Sequence, residues 1–137
     1  MSVGPVPQPT PETAPFWEGT AAGELRIQKC LECDEFYFYP RPFCPNCFSE
    51  KVEWQAVSGR AKLASYVINY RPLPPFKRDE PQIIALVTLD EGPRLCTNII
   101  DVEPDPANLP LGLELTVRFE ERGDQTVPLF APAKGAN

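Results

Sequence analysis

Histidine is absent from this chain of 137 residues. Because histidine is the usual base that activates a nucleophile, no Ser–His or Cys–His pair can be assembled within the chain. The sequence also has no glycine-rich phosphate loop, and without tertiary geometry its carboxylates single out no acid–base pair. We therefore expect no catalytic residue in this chain and no enzymatic activity from the chain alone.

Basic residues are fewer than acidic ones: 13 Lys and Arg stand against 19 Asp and Glu, for a net charge of −6. A field of that sign repels phosphate backbones, so a nucleic-acid partner is not expected. Long apolar runs are missing too, and no stretch reaches the ~18 residues of a membrane span. Met1 to Thr10 lacks the basic start and apolar run of a signal peptide, so we expect a cytoplasmic protein without a membrane partner.

Proline, in contrast, is plentiful, with 18 residues in the chain. That number is too high for a helical bundle and is typical of short strands joined by fixed turns. A hydrophobic fraction of 42% and eight Phe, four Tyr and two Trp are enough for one core with a small appended module. The composition therefore favours a mainly β protein.

Four of the five cysteines form two pairs with the spacing C-x2-C-x10-C-x2-C, namely Cys30, Cys33, Cys44 and Cys47. Each C-x2-C turn directs both sulfurs at one point, and two such turns complete a tetrahedron. In a reducing cytoplasm paired cysteines are metal ligands more often than disulfides. We predict one structural zinc ion held by these four thiolates.

Two other interpretations use the same cysteines. Iron in place of zinc would give an electron-transfer site, and a redox dithiol is disfavoured by two matched pairs inside one short hairpin.

Asp34 and Phe48 follow the second cysteine of each pair, where glycine is common, so backbone strain is expected there without loss of a ligand. Cys96 lies in an apolar strand and is expected to be a small buried hydrophobe.

The chain divides into four segments: an extended tail (1–11), an N-terminal helix with the zinc ribbon (12–54), a barrel (55–132) and a second tail (133–137). A short helix is predicted from Pro15 to Ala22, with Gly23 as its stop. On this helix, Phe16 and Trp17 are large apolar anchors. They either dock onto the rest of the domain or contact a partner protein.

The sequence of the barrel segment (55–132) predicts five strands. The continuous apolar run from Ile83 to Leu89 predicts a strand buried on both sides, whereas strict alternation from Leu113 to Glu120 predicts a strand with one wet face. In the closing strand, Pro128 predicts an edge or a bulge. A long connection, Val102 to Gly112, between the third and fourth strands fits an oligonucleotide/oligosaccharide-binding (OB) barrel.

Several motifs of the chain resemble one known family: FWEG at 16–19, RPFCP at 41–45, VSGRA at 57–61, ALVTLDEGPRL at 85–95 and PLFAP at 128–132. This is the acyl-CoA-associated family with a rubredoxin-like zinc ribbon and an OB fold, long known as a domain of unknown function. Its members are similar in accompanying thiolase-superfamily enzymes: acyl-CoA thiolases, hydroxymethylglutaryl-CoA synthase assemblies, and the lipid-transfer-protein-type aldolases that shorten steroid side chains.

The resemblance implies a non-catalytic accessory subunit of a thiolase-fold aldolase or thiolase, with acyl-CoA as the substrate of the complex. A thiolase-type dimer has two equivalent faces, so a heterotetramer with two copies of each chain is expected. Zinc ribbons and OB barrels also bind nucleic acid in other proteins, which leaves a nucleic-acid-binding module as the alternative function. The net charge and the lack of a basic, aromatic-rich strand face favour the accessory subunit.

The proline-rich loop from Tyr70 to Pro81 combines basic and aromatic side chains in an otherwise acidic protein. Arg or Lys in it can pair with a CoA phosphate, and its prolines lower the entropy cost of presenting a fixed surface. Together with Phe16 and Trp17, the candidate acyl-CoA or partner contacts are therefore Tyr70, Arg71, Phe76, Lys77 and Arg78. The alternative is a rigid surface connection with ordinary charges.

Overall fold

A computed structural model describes residues 6–72 and 80–133 of the chain. Within that part, a helix precedes a three-stranded sheet and a closed five-stranded barrel. The elements are α1 Ala14–Ala21, β1 Leu25–Cys30, β2 Phe36–Tyr37, β3 Val52–Val57, β4 Arg60–Asn69, β5 Gln82–Leu89, β6 Arg94–Ile99, a 3-10 turn Pro106–Asn108, β7 Glu114–Arg122 and β8 Gln125–Pro132. The predicted fold class, mainly β with a helix, a ribbon and an OB barrel, is confirmed.

Helix α1 begins and ends close to the residues that the sequence predicts. Thr13 is its N-cap, a proline lies in the first turn, and Gly23 follows with a left-handed φ of +80°. The helix packs against β1 and β8 and inserts Phe16, which is 7% exposed, into the main core. The N-terminal helix therefore joins the ribbon to the barrel.

The ribbon sheet has the order β2-β1-β3, and all its pairings are antiparallel. Strand β1 pairs with β3 from Leu25 opposite Val57 to Cys30 opposite Val52. Leu25 and Ile27 are buried in the same core cluster as the barrel residues, and Cys30 closes the strand as its last residue. The ribbon and the barrel thus share one core, with the first metal ligand at the end of the central strand.

The barrel has the strand order β4-β5-β6-β8-β7 and closes where β7 pairs with β4. Its other strand pairs are antiparallel, and β6 pairs with β8 in the parallel direction through Ile99 and Phe130. Phe130 and Val87 are fully buried at its centre. Burial alternates along β5 and β6, because a closed sheet has one interior and successive side chains point to opposite faces.

That alternation corrects two expectations. The run from Ile83 to Leu89 is buried on one side only, and its outward-facing Leu86 is 40% exposed. Cys96 is likewise exposed, since Leu95 and Thr97 on either side of it point inward. Both predictions were wrong because the apolar character of a strand does not tell which of its faces the chain itself covers.

The expectation for Pro128 was also wrong, since β8 lies between β6 and β7 and keeps a regular ladder with β7. Proline lacks the N–H that a ladder needs, so its place requires a reason. The Pro128 carbonyl accepts a hydrogen bond from Thr97 Oγ1 on β6, so its nitrogen faces β6 as well. There the ladder is reduced to the pair of Ile99 and Phe130, and the missing donor disrupts nothing.

Gly59 joins the ribbon to the barrel and is the basis of a stability prediction. Its φ is +79°, and a Cβ there would lie 2.5 Å from Val117 Cγ1. We expect Gly59→Ala to lower the free energy of unfolding by about 2–4 kcal/mol, from left-handed strain and the clash together. Gly23→Ala is the matched control: its φ is +80° with nothing within 4 Å, so only about 1 kcal/mol should be lost. Urea denaturation of both zinc-loaded variants measures the difference; equal losses would contradict the role of the Val117 contact.

Candidate metal centre

The structure brings the four predicted ligands together, although they come from two separate loops. The Sγ atoms of Cys30 and Cys47 are 3.6 Å apart, those of Cys33 and Cys44 are 3.7 Å apart, and all four lie within 4.8 Å of one another. Tetrahedral sulfurs at the usual Zn–S distance of about 2.3 Å lie about 3.8 Å apart. A disulfide needs about 2.05 Å. The quartet therefore fits one tetrahedral zinc ion and no disulfide.

The two cysteine loops have the same backbone hydrogen bonds. The N–H groups of Cys30 and Cys44 donate to the carbonyls of Glu35 and Ser49, at 2.9 and 2.8 Å. Four residues after each of these cysteines, the N–H of Asp34 or Phe48 donates back to its carbonyl, at 3.0 and 2.8 Å. One turn geometry is thus used twice, which is how two short segments place four sulfurs around one point.

Asp34 and Phe48, the residues at the usual glycine positions, both have a left-handed φ of 64°. The predicted strain is therefore confirmed at the two places where the sequence lacks glycine. Aspartate tolerates this conformation better than most residues, whereas phenylalanine gains nothing locally from it. Phe48 is also 72% exposed, and its ring lies 6.0 Å from that of Phe43. The turns keep their geometry because the surrounding hydrogen bonds and the sulfur cluster require it.

Hydrogen bonds to sulfur prepare the site for an ion. The backbone N–H of Cys33 points to Cys30 Sγ at 3.5 Å, and that bond is the main cause that lowers the pKa of Cys30 to about 7. Asn46 donates its backbone N–H to Cys44 Sγ at 3.3 Å and its side-chain amide to Cys33 Sγ at 3.8 Å. The sequence analysis missed Asn46 as a thiolate donor, although its place between Cys44 and Cys47 was a usable signal.

The segment between the two cysteine loops is fixed to the ribbon sheet by buried side chains. Gln28 on β1 accepts the backbone N–H of Arg41 at 2.7 Å, and the Tyr37 hydroxyl donates to the Arg41 carbonyl at 2.9 Å. The pKa of Tyr37 is raised to about 12, mainly because the hydroxyl is buried and secondly because negative charge on Cys44 and Cys30 lies nearby. Tyr37 therefore remains a neutral donor, and the second pair of ligands is held in place over the first.

The candidate contact residues are not brought together in one cluster. Phe16 is buried and Trp17 half-buried, and their rings meet edge to face at 4.8 Å within the core. Tyr70, 62% exposed, and the exposed Arg71 follow the end of β4. The remaining candidates of the loop, Phe76, Lys77 and Arg78, lie outside the described residues.

A cavity of about 290 Å³ opens at the barrel end where β5 begins and β6 and β7 finish. Its described lining includes the acidic residues Glu80, Asp101 and Glu120 and the basic residue Arg122. Arg122 Nε is already 2.8 Å from Glu120 Oε2. Among the described lining residues carboxylates outnumber cations, which disfavours the phosphates of CoA.

A double cysteine loop of rubredoxin type followed by a closed five-stranded barrel defines a class of protein, a zinc ribbon joined to an OB fold. The family model described as "ChsH2, rubredoxin-like zinc ribbon domain" matches residues 17–53, and "ChsH2, C-terminal OB-fold domain" matches residues 54–120. A DUF35 domain-containing scaffold protein of Methanothermobacter thermautotrophicus is 34% identical over 105 residues, which are 75% of this chain and 79% of the relative. The chain belongs to this ChsH2/DUF35 family, as the resemblance in its motifs predicted.

Two longer relatives are hydratase subunits. A probable enoyl-CoA hydratase alpha subunit of Thermomonospora curvata is 34% identical over 86% of this chain and 37% of its own length. The 3-oxo-4,17-pregnadiene-20-carboxyl-CoA hydratase alpha subunit of Mycobacterium tuberculosis is 30% identical over 92% of this chain and 39% of its own length. This chain therefore spans well under half of each.

Among solved structures, one chain of the "Ltp2-ChsH2(DUF35) aldolase" is 29% identical, with a TM-score of 0.80. The likeness covers 93% of this chain and 98% of that one.

Within the described residues, α1 is far too short to cross a membrane, and no other helix qualifies.

The metal site yields a direct prediction: one zinc ion per chain, and loss of the folded ribbon in Cys44→Ala, because binding and local folding are one event. Elemental analysis and near-ultraviolet circular dichroism measure both. Cys96→Ser is the matched control, since it removes an exposed thiol outside the cluster and should keep the full zinc content. Less than about half an equivalent of zinc in the unmodified protein, with no other metal in its place, would contradict the site; iron would give a red protein.

Proposed function

We propose that this chain is a non-catalytic accessory subunit of a thiolase-fold enzyme, an aldolase or a thiolase, that acts on acyl-CoA thioesters. The observation that carries the proposal is the nearly full-length likeness to one chain of the Ltp2-ChsH2(DUF35) aldolase. The name of that assembly pairs a protein of this family with a second component, Ltp2. The motifs described above support the same role, because they resemble subunits that accompany thiolase-superfamily enzymes.

The chain's own residues also favour an accessory role. No histidine is present to activate a nucleophile. Cys96 is an exposed thiol, but none of the described side chains forms a hydrogen bond with its sulfur, so it lacks the base that a cysteine nucleophile needs. The four other cysteines are occupied by the metal site. The catalytic groups would therefore come from the partner, which this subunit stabilises and whose acyl-CoA site it helps to shape.

The candidate contact residues differ in how accessible they are to a partner or to CoA. Tyr70 and Arg71 are exposed at the start of the proline-rich loop, where a guanidinium can pair with a CoA phosphate. Phe76, Lys77 and Arg78 belong to the same loop by sequence. Phe16 and Trp17 already contribute to the core of the chain, so a partner would reach only the exposed part of Trp17.

Stoichiometry and substrate are further parts of the proposal. A thiolase-type dimer has two equivalent faces, which supports two copies of each chain in the complex. The Mycobacterium tuberculosis relative is named for a CoA thioester on a steroid skeleton, which supports steroid side-chain degradation as one candidate pathway class. A cytoplasmic location agrees with four cysteines kept as thiolates for a metal.

The first test is reconstitution of activity. The zinc-loaded chain alone should turn over no acyl-CoA thioester, whereas a mixture with a thiolase-superfamily protein encoded in the same genome should release CoA or a cleaved side chain. Purified candidates are mixed one by one and analysed by gel filtration and by product formation. Turnover by the isolated chain would contradict the non-catalytic role, and failure to form a complex with every candidate would overturn the accessory role itself.

The second test concerns CoA recognition. In the active complex, Arg71→Ala should raise KM for the acyl-CoA about tenfold with little change in kcat, because a phosphate contact remote from the reacting carbon contributes equally to ground and transition states. Lys51→Ala is the control, since it removes a 74% exposed cation of the ribbon. An unchanged KM in Arg71→Ala, or an equal rise in the control, would remove Arg71 from the site.

A further inference from the structure

The outer face of β4, β5 and β6 has an uncovered apolar centre. A bulge between Leu63 and Ser65 shifts the register of β4, so that Val67, which pairs with Ile84, points outward. On the next strand, Leu86 pairs with Cys96. Val67 is 60% and Leu86 40% exposed, and Cys96 is exposed beside them. The exposed Val67, Leu86 and Cys96 and the half-buried Ile84 lie in adjacent rows and form one apolar patch on the barrel exterior, which we call the outer patch.

The outer patch extends toward the ribbon through one aromatic residue. The Tyr39 hydroxyl accepts the backbone N–H of Cys96 at 3.3 Å, and 53% of Tyr39 is exposed. This bond places the tyrosine at the β6 edge of the patch. A partner that covers the outer patch can therefore touch the barrel and the ribbon at once.

The charge of this face differs from that of the whole protein. None of the residues of β4, β5 and β6 is acidic, although the chain has a net charge of −6. Lys62 and Arg94 lie in the row next to the outer patch, and no ion pair among the described residues involves either of them. The third basic residue, Arg60, is paired with Asp90 at 3.2 Å. Carboxylates return on β7, where Glu114 stands opposite Lys62.

In OB folds, the surface of the second and third strands is where ligands usually bind. Strands β5 and β6 have that position here. Single-stranded nucleic acid needs aromatic rings on which bases stack, yet the centre of this face is aliphatic with one thiol. Its chemistry is that of a protein interface, with a large apolar centre and a charged rim.

A second copy of this chain is a poor occupant of the face. In a two-fold contact the same patch meets itself, and neither copy would bring a carboxylate from these three strands to Lys62 and Arg94. Like charges placed together across an interface are repulsive. The complementary surface is instead apolar at its centre and acidic along one edge.

We propose that the outer patch with its basic rim is the surface on which this subunit docks its catalytic partner, through an apolar partner surface that has carboxylates opposite Lys62 and Arg94. This rests on the proposed function. It also gives a reason for the continuous apolar run of β5: one face of the strand belongs to the barrel core, and the other is buried in the assembly.

Substitution of the outer patch tests the proposal with the thiolase-superfamily subunit that reconstitutes activity. Leu86→Glu and Val67→Glu place a carboxylate in the apolar centre and should each weaken assembly at least about thirtyfold, as for a residue at the centre of an interface. Leu31→Glu is the matched control, because Leu31 is 51% exposed on the first cysteine loop. Zinc content and thermal unfolding are measured in each variant to confirm that the fold is kept.

The basic rim predicts a kinetic effect. Lys62→Glu combined with Arg94→Glu should slow association about tenfold at low salt, and the difference should shrink as salt is added. An effect confined to dissociation, or one independent of salt, would contradict the carboxylate edge on the partner.

Cys96 provides a footprint at the centre of the outer patch, since zinc occupies the other four thiols. A maleimide should modify Cys96 quickly in the zinc-loaded chain and at least about tenfold more slowly in the complex, because a buried interface excludes the reagent. Prior modification should block assembly, whereas the same treatment should not change the affinity of Cys96→Ser. Mass spectrometry of the digested protein locates the label.

The outcomes separate the two proposals. A complex that forms while Cys96 stays reactive and Leu86→Glu binds as well as the control overturns the outer patch and leaves the accessory role standing. Protection of Cys96 in the isolated chain that rises with its concentration assigns the face to a second copy, and protection by a single-stranded oligonucleotide assigns it to nucleic acid. If no thiolase-superfamily protein binds, both proposals fail.

Discussion

Four thiolates that meet around one ion are the constraint on which the ribbon depends. The two cysteine loops bury no side chain other than Cys30 and Cys44, so a bound ion would be the main link between them. The same two backbone hydrogen bonds recur in each loop, and together with the sulfur cluster they hold Asp34 and Phe48 in the left-handed conformation. The central strand β1 ends at the first ligand, Cys30, so the sheet stops where the cysteine cluster begins.

The metal site reaches the barrel through a shared core. Leu25 and Ile27 of the ribbon belong to the same buried cluster as Phe16 of the helix and Phe130 of the barrel. Separating the ribbon from the barrel would expose that buried surface, so the shared core holds the two units together. A histidine-free chain whose ribbon and barrel share one core is consistent with the accessory role proposed above.

One face of the barrel differs from the rest of its surface in charge and in exposed apolar area. Three neighbouring strands contain no acidic residue and expose an aliphatic patch, while the acidic residues lie elsewhere on the chain. In the isolated protein this arrangement leaves apolar side chains exposed to water and does not stabilise the fold. A partner surface of matching shape and opposite charge turns the same arrangement into specific association.

The sequence by itself determined whatever depends on a few consecutive residues. The spacing from Cys30 to Cys47 predicted the metal quartet, and the positions of Pro15 and Gly23 predicted the helix. The tertiary structure alone decided which faces are covered. Leu86 and Cys96 look like core residues in the sequence, yet they lie outside the barrel. For Phe16 the sequence left open docking onto the domain or contact with a partner, and the structure buries it. The side of a strand is set by its pairing with residues far along the chain and by a bulge, and no local pattern contains that information.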